Sequence, residues 1–120
     1  MTTPATLYKK LIQVIPDLPR LKEYRKLKAN GYMDLNVDVL VRAGNTMRIA
    51  IAHNYEMNGD IVPDPDMELE VDLKMETVDA KTVQNIYAYS EVEEGDVMMQ
   101  KDLNEFLDLW LTNLIDQGHK

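Results

Sequence analysis

The chain has 120 residues, 45% of them apolar and 28% charged, a balance that suits one folded domain over residues 1–120 and excludes extended disorder. It holds no cysteine, which excludes disulfides, thiolate nucleophiles and Cys-ligated zinc and favours a reducing compartment. Thirteen Lys and Arg stand against twenty-one Asp and Glu, a formal net charge of −8 that opposes nucleic acid as a partner.

The charge is unevenly placed. Residues 1–31 carry +5, through Lys9, Lys10, Arg20, Lys22, Arg25, Lys26 and Lys28 against Asp17 and Glu23, and residues 32–120 carry −13. A basic arm of this kind either meets an anionic partner or lies beside an acidic sheet and neutralises it. The opening Met1-Thr2-Thr3-Pro4 leads into no apolar run of the kind a signal peptide needs, and no later stretch is long enough for a bilayer. A cytoplasmic protein without membrane contact is the expectation, in a bacterium or an infected bacterial host.

In chain order, Thr3-Pro4 supplies a helix N-cap and a first-turn proline, and Leu7, Leu11 and Val14 or Ile15 follow at helical spacing until Pro16. Asp17 then caps a second predicted helix, with Leu18, Leu21, Tyr24 and Leu27 at a three-residue period and Asn30-Gly31 at its end. Residues 1–31 thus read as a basic helical segment.

From Tyr32 the period becomes two, and residues 32–92 read as an antiparallel sheet. Met33, Leu35, Val37, Val39 and Val41 share one face of a first strand. A hairpin loop over Arg42 to Thr46, containing Ala-Gly-Asn, leads to a second with Met47, Ile49, Ile51, His53 and Tyr55, and Val41 is expected opposite Met47. Asn58-Gly59 is a tight-turn signal. Pro63-Asp64-Pro65-Asp66 is expected at a bulge, loop or edge, since prolines cannot serve a central ladder. Met67, Leu69, Val71 and Leu73 form a third strand. A turn at Glu76–Asp79 precedes a fourth, Lys81 to Val92, in which Tyr87 and Tyr89 share a face with Val83.

Residues 99–117 read as an amphipathic helix with Leu103, Phe106, Leu107, Trp110, Leu111 and Leu114 on its apolar side and Gly118 as its stop. The expectation is an α+β domain in the order α-α-β-β-β-β-α, a four-stranded antiparallel meander covered on one face by the N- and C-terminal helices.

Asn58-Gly59-Asp60, Asp64-Pro65-Asp66-Met67-Glu68 and the later Asn104-x-Phe106-Leu107-x-x-Trp110-Leu111 resemble a group of small uncharacterised proteins, domain-of-unknown-function families of bacteria, phages and mobile elements. Gly31-Tyr32-Met33-x-Leu35 and His53-x-Tyr55 add to the likeness, which spans Gly31 to Gly118. It implies a compact domain of bacterial or mobile-element origin and transfers no activity, cofactor or catalytic residue.

The residues themselves offer no phosphate loop, no nucleophile with a base beside it and no histidine cluster, so no catalytic residue and no cofactor is assigned. His53 reads as a core histidine, and His119 as part of a frayed end. The solvent face of the sheet carries Asp34, Asp38, Glu56, Glu68, Glu70 and Asp72 against Arg48 and Lys74, and is the expected contact surface for another protein. Two alternatives remain open. Asp60, Asp64 and Asp66 with Glu68 or Glu70 could hold Ca²⁺ or Mg²⁺ in a metal-dependent enzyme, and the basic N-terminal helices could contact nucleic acid.

Overall fold

A computed structural model describes residues 1–57, 60–85 and 88–120, with side chains considered throughout those ranges except at 54–57 and 60–64. The elements are α1 (Pro4–Val14), a 3-10 turn (Leu18–Arg20), β1 (Arg25–Leu27), β2 (Leu35–Ala43), β3 (Thr46–Met57), β4 (Asp60–Asp72), β5 (Thr77–Gln84), β6 (Tyr89–Glu91) and α2 (Val97–Gln117). The strands form one sheet in sequence order, each antiparallel to its neighbours. The class is the expected α+β meander, but with six strands instead of four and one N-terminal helix instead of two.

α1 begins as its sequence dictates. The Thr3 side chain accepts the Thr6 backbone N–H at 3.1 Å, and Pro4 occupies a position that needs no donor. Leu7, Leu11 and Val14 are buried on its inner side. The predicted second helix does not form. Pro16 and Pro19 stand three residues apart, and neither can donate to a continuing α-turn. The chain makes one 3-10 turn, which buries Leu18, then runs extended through Leu21 and pairs β1 with β2, Arg25 opposite Val37. Asp17 and Arg25 form an ion pair across this change of direction. The apolar residues spaced by three therefore reach the core through a tight turn and a strand, and Tyr24 between them is exposed.

In β2, Leu35 and Val37 are buried, but Leu40 is an extra residue, since Val39 pairs with Ile49 and Val41 with Arg48. This bulge reverses the alternation. Val41 turns outward, 59% exposed, and Met47 faces Arg42 instead of the predicted Val41. Met33 precedes the strand and is also exposed. The β2–β3 hairpin falls within the expected Arg42–Thr46 but closes more tightly, through Gly44-Asn45 alone, with Gly44 at φ 61°, a region open to glycine.

β3 and β4 follow the predicted alternation: Met47, Ile49, Ile51, Met67, Leu69 and Val71 are all fully buried. The predicted Asn58-Gly59 turn lies outside the described residues, while the flanking strands pair up to Met57 with Asp60. The proline segment resolves as a bulge inside β4. Asn54 pairs with Pro63 and Ala52 with Asp66, so Asp64 and Pro65 together face His53. β5 joins β4 only from Asp66 onward, so both prolines sit where β4 has one neighbour.

The predicted fourth strand is two strands. β5 starts earlier, at Thr77, after a turn in which Glu76 takes φ 56°, and β6 folds back on it with Gln84 opposite Tyr89. Asn85 makes the reversal, its backbone N–H donating to the Ala88 carbonyl at 3.0 Å and its side-chain oxygen accepting the Ala88 N–H at 2.9 Å. Ile86 and Tyr87 lie outside the described residues, and Tyr89 is exposed instead of stacking in line with Val83.

α2 starts at Val97, two residues before its predicted start, because Asp96 accepts the Met99 N–H, and it ends at Gly118 in the left-handed region. Leu103, Leu107, Trp110, Leu111 and Leu114 are buried in one cluster with α1 and the inner sheet face. Phe106, predicted on that side, is 43% exposed. No described helix is long and apolar enough to cross a membrane.

Candidate functional site

Two surfaces carry side chains beyond what the core requires. The first is the sheet face opposite the helices. Pairing places Asp38 beside Ala50, Ala50 beside Glu68, and Glu68 beside Thr82, so Asp38 and Glu68 lie in one row with only an alanine between. Asp66 stands two residues along β4 on the same face. Its carboxyl is pushed above the usual range by partial burial first, then by the charges of Glu68 and Asp38. Arg48 answers this charge through Glu68 at 3.1 Å, and Lys81 approaches Glu70 at 4.0 Å.

Of the six acids expected on this face, Asp38 and Glu70 are exposed and Glu68 and Asp72 partly so. Asp72 is also occupied locally, since its carboxylate accepts the Lys74 and Met75 N–H groups. Asp34 lies just ahead of β2 and is partly exposed. The Glu56 side chain lies outside the described residues, as do those of Asp60 and Asp64 from the metal-site alternative. Among the described residues, no three of His, Asp and Glu come together as a metal-holding group. Alternation puts Asp66 beside Glu68 but could not have revealed its partial burial or the approach of Asp38 from β2, which depend on how the strands pair.

The basic arm is not a surface of one kind. Lys10 is held by Asp108 on α2 and Arg25 by Asp17, and Arg42 donates to the Pro19 carbonyl at 2.6 Å. Lys9, Arg20, Lys22, Lys26 and Lys28 are exposed, spread over α1, the 3-10 turn, β1 and the irregular backbone around them.

The second surface is a pocket of about 350 Å³ between α2 and the start of β2. Its floor is formed by the His53 and Trp110 rings, with the His119 ring beside His53 outside the lining. His53 lies 5.4 Å from Trp110 and 5.6 Å from His119, centroid to centroid, and all three are buried. His119 is thus no frayed end. Its Nε2 meets the Met33 carbonyl at 2.8 Å, while the backbones of Lys120 and Lys28 exchange hydrogen bonds at 3.0 and 2.8 Å. His53 Nδ1 meets the Asp34 carbonyl at 3.0 Å, as a core histidine should. The Trp110 indole N–H is sealed from solvent with no acceptor among the described residues, which costs about 1–3 kcal/mol. Tyr32, Met33, Phe106 and Leu109 form the exposed walls.

A larger open groove of about 1040 Å³ runs between the starts of α1 and α2. The side-chain amides on its inner side are committed to the fold. Asn104 accepts the Ala80 N–H at 2.8 Å and donates to Asp79, and Gln100 donates to the Ala80 carbonyl at 2.6 Å.

Fold and surfaces together define a small α+β domain with one helix-covered sheet face, one acidic face and one aromatic pocket. The chain belongs to the family described as Domain of unknown function (DUF6908), whose model matches residues 6–120. No curated protein and no solved structure matches it.

Proposed function

We propose that this is a non-catalytic binding domain whose acidic sheet face docks a basic segment of another protein. The observation that carries the reading is Asp66, half-buried between Glu68 and Asp38 with its ionised form disfavoured. Only Arg48 and Lys81 approach this cluster as ion-pair partners among the described residues. A Lys or Arg side chain laid across the face would relieve that repulsion, and exposed Tyr24 and Tyr89 offer ring surface beside it. The cysteine-free, acidic composition suits the cytoplasm of a bacterium or of an infected bacterial host.

The test is a titration with a Lys/Arg-rich decapeptide and with a Glu-rich control. The basic peptide binds, its affinity falls with added salt, and the triple variant Asp38→Asn, Asp66→Asn, Glu68→Gln loses it. Binding unchanged in that variant overturns the reading. So does a micromolar Ca²⁺, Mg²⁺ or Mn²⁺ site abolished by Asp64→Ala with Asp66→Ala, which would make the cluster a metal centre. A duplex-DNA gel shift lost when Lys22, Arg25 and Lys26 become alanine would transfer the binding role to the basic segment.

A further inference from the structure

The acidic face leaves the aromatic pocket without a role. Its volume, about 350 Å³, is at the lower end of the range for small-molecule sites, enough for a compact ring compound and too small for a nucleotide or an extended cofactor. Among the described residues no Asp, Glu, Lys or Arg lines it, in a chain whose residues are 28% charged. A charged ligand would lose its hydration there and gain no counter-ion from the described residues.

The walls have two chemistries. Tyr32, Met33, Phe106 and Leu109 give rings, a thioether and an aliphatic edge over the Trp110 floor, surfaces on which a flat ring packs or stacks. At the rim, Asn113 and Gln117 stand one helical turn apart on α2, and their side-chain amides have no partner among the described residues. Each carries an acceptor oxygen and a donor NH₂, so the pair can meet a group that itself both donates and accepts. Phe106 and Leu109 are 43% and 63% exposed, although each is large and apolar on a helix whose other apolar residues are mostly buried.

We propose that this pocket binds a small neutral aromatic molecule bearing a carboxamide-type polar edge, with the ring against Phe106, Leu109 and Trp110 and the edge against Asn113 and Gln117. The site is separate from the acidic face, and the two proposals stand or fall independently.

Benzamide is the probe, and the single tryptophan is the reporter. Titration should move the Trp110 indole N–H resonance and its fluorescence saturably, with a midpoint near about 1 mM or tighter. Benzoate, the same ring with a charged edge, should bind at least about tenfold more weakly. Leu109→Glu should weaken benzamide by about tenfold with melting temperature unchanged, because Leu109 is not in the core. No saturable shift, equal binding of benzoate, or full binding by Leu109→Glu overturns the proposal. Indole resonances that depend on protein concentration and ignore benzamide also overturn it, and would show a second copy covering the pocket.

Discussion

Trp110 joins core and pocket in one side chain. It is 7% exposed and packs with Leu103, Leu107, Leu111 and Leu114 against the sheet, so Trp110→Ala should cost about 3–5 kcal/mol, read as a steep loss of melting temperature. Trp110→Phe keeps a ring and removes the unpaired N–H, and should cost well under half as much. Native fluorescence should be blue-shifted and resist iodide. The carboxylates divide by sign. Asp108, bonded to Lys10 and Thr2, titrates below the usual range, so it adds stability above about pH 4, which is lost as acid protonates it in the folded state. Asp66 titrates above the usual range, so its penalty is absent below about pH 4 and grows as pH rises through its folded-state value. Asp66→Asn should therefore stabilise the protein at pH 7 by about 0.5 kcal/mol, a small figure because water screens a half-exposed group. At pH 3 it should change nothing, and denaturant melts at the two pH values check both halves.

Among the elements, α2 depends most on how it ends. Gly118 takes φ 78°, its N–H returns to Leu114 and Ile115, and the turn it makes sends His119 to Met33 and Lys120 to Lys28. No atom obstructs a methyl group there, so Gly118→Ala should cost about 1 kcal/mol through backbone strain alone, measurable by denaturant melting. The sequence announced this cap, a hairpin within Arg42–Thr46 and the alternation of β3 and β4, because each depends on near neighbours; the tighter two-residue turn at Gly44-Asn45 follows from the Leu40 bulge. It did not announce the Leu40 bulge or the Asn85 reversal, which carry no glycine or proline. Residues 18–27 misled for a different reason: a 3-10 turn followed by a strand can bury Leu18, Leu21 and Leu27 as well as a helix can. The pocket was illegible since Tyr32, His53, Pro65 and Phe106 are far apart in sequence. The acids of the open face were legible by alternation, and Asp66 was read only as a turn or metal carboxylate.

At the scale of the whole molecule, a sheet strung in sequence order needs only short loops, and the long closures fall to the helices, with Thr2 and Lys10 reaching Asp108 across the chain. That arrangement leaves strand ends uncovered. β6 pairs with β5 only over Thr82–Gln84, and the Ala80 backbone finds its partners in the Asn104 and Gln100 side chains of α2. Two amides of a helix thus stand where another strand would bind. Their loss leaves the Ala80 N–H and carbonyl unpaired at the edge, a foothold from which fibrillar stacking grows. The double variant Asn104→Ala, Gln100→Ala should keep native-like circular dichroism when fresh, lose about 1–3 kcal/mol of stability, and on storage pass into thioflavin-positive assemblies that the parent protein resists. If it stays monomeric over the same interval, the helix is not the guard of this edge. If it assembles, the two amides defend the chain against its own copies.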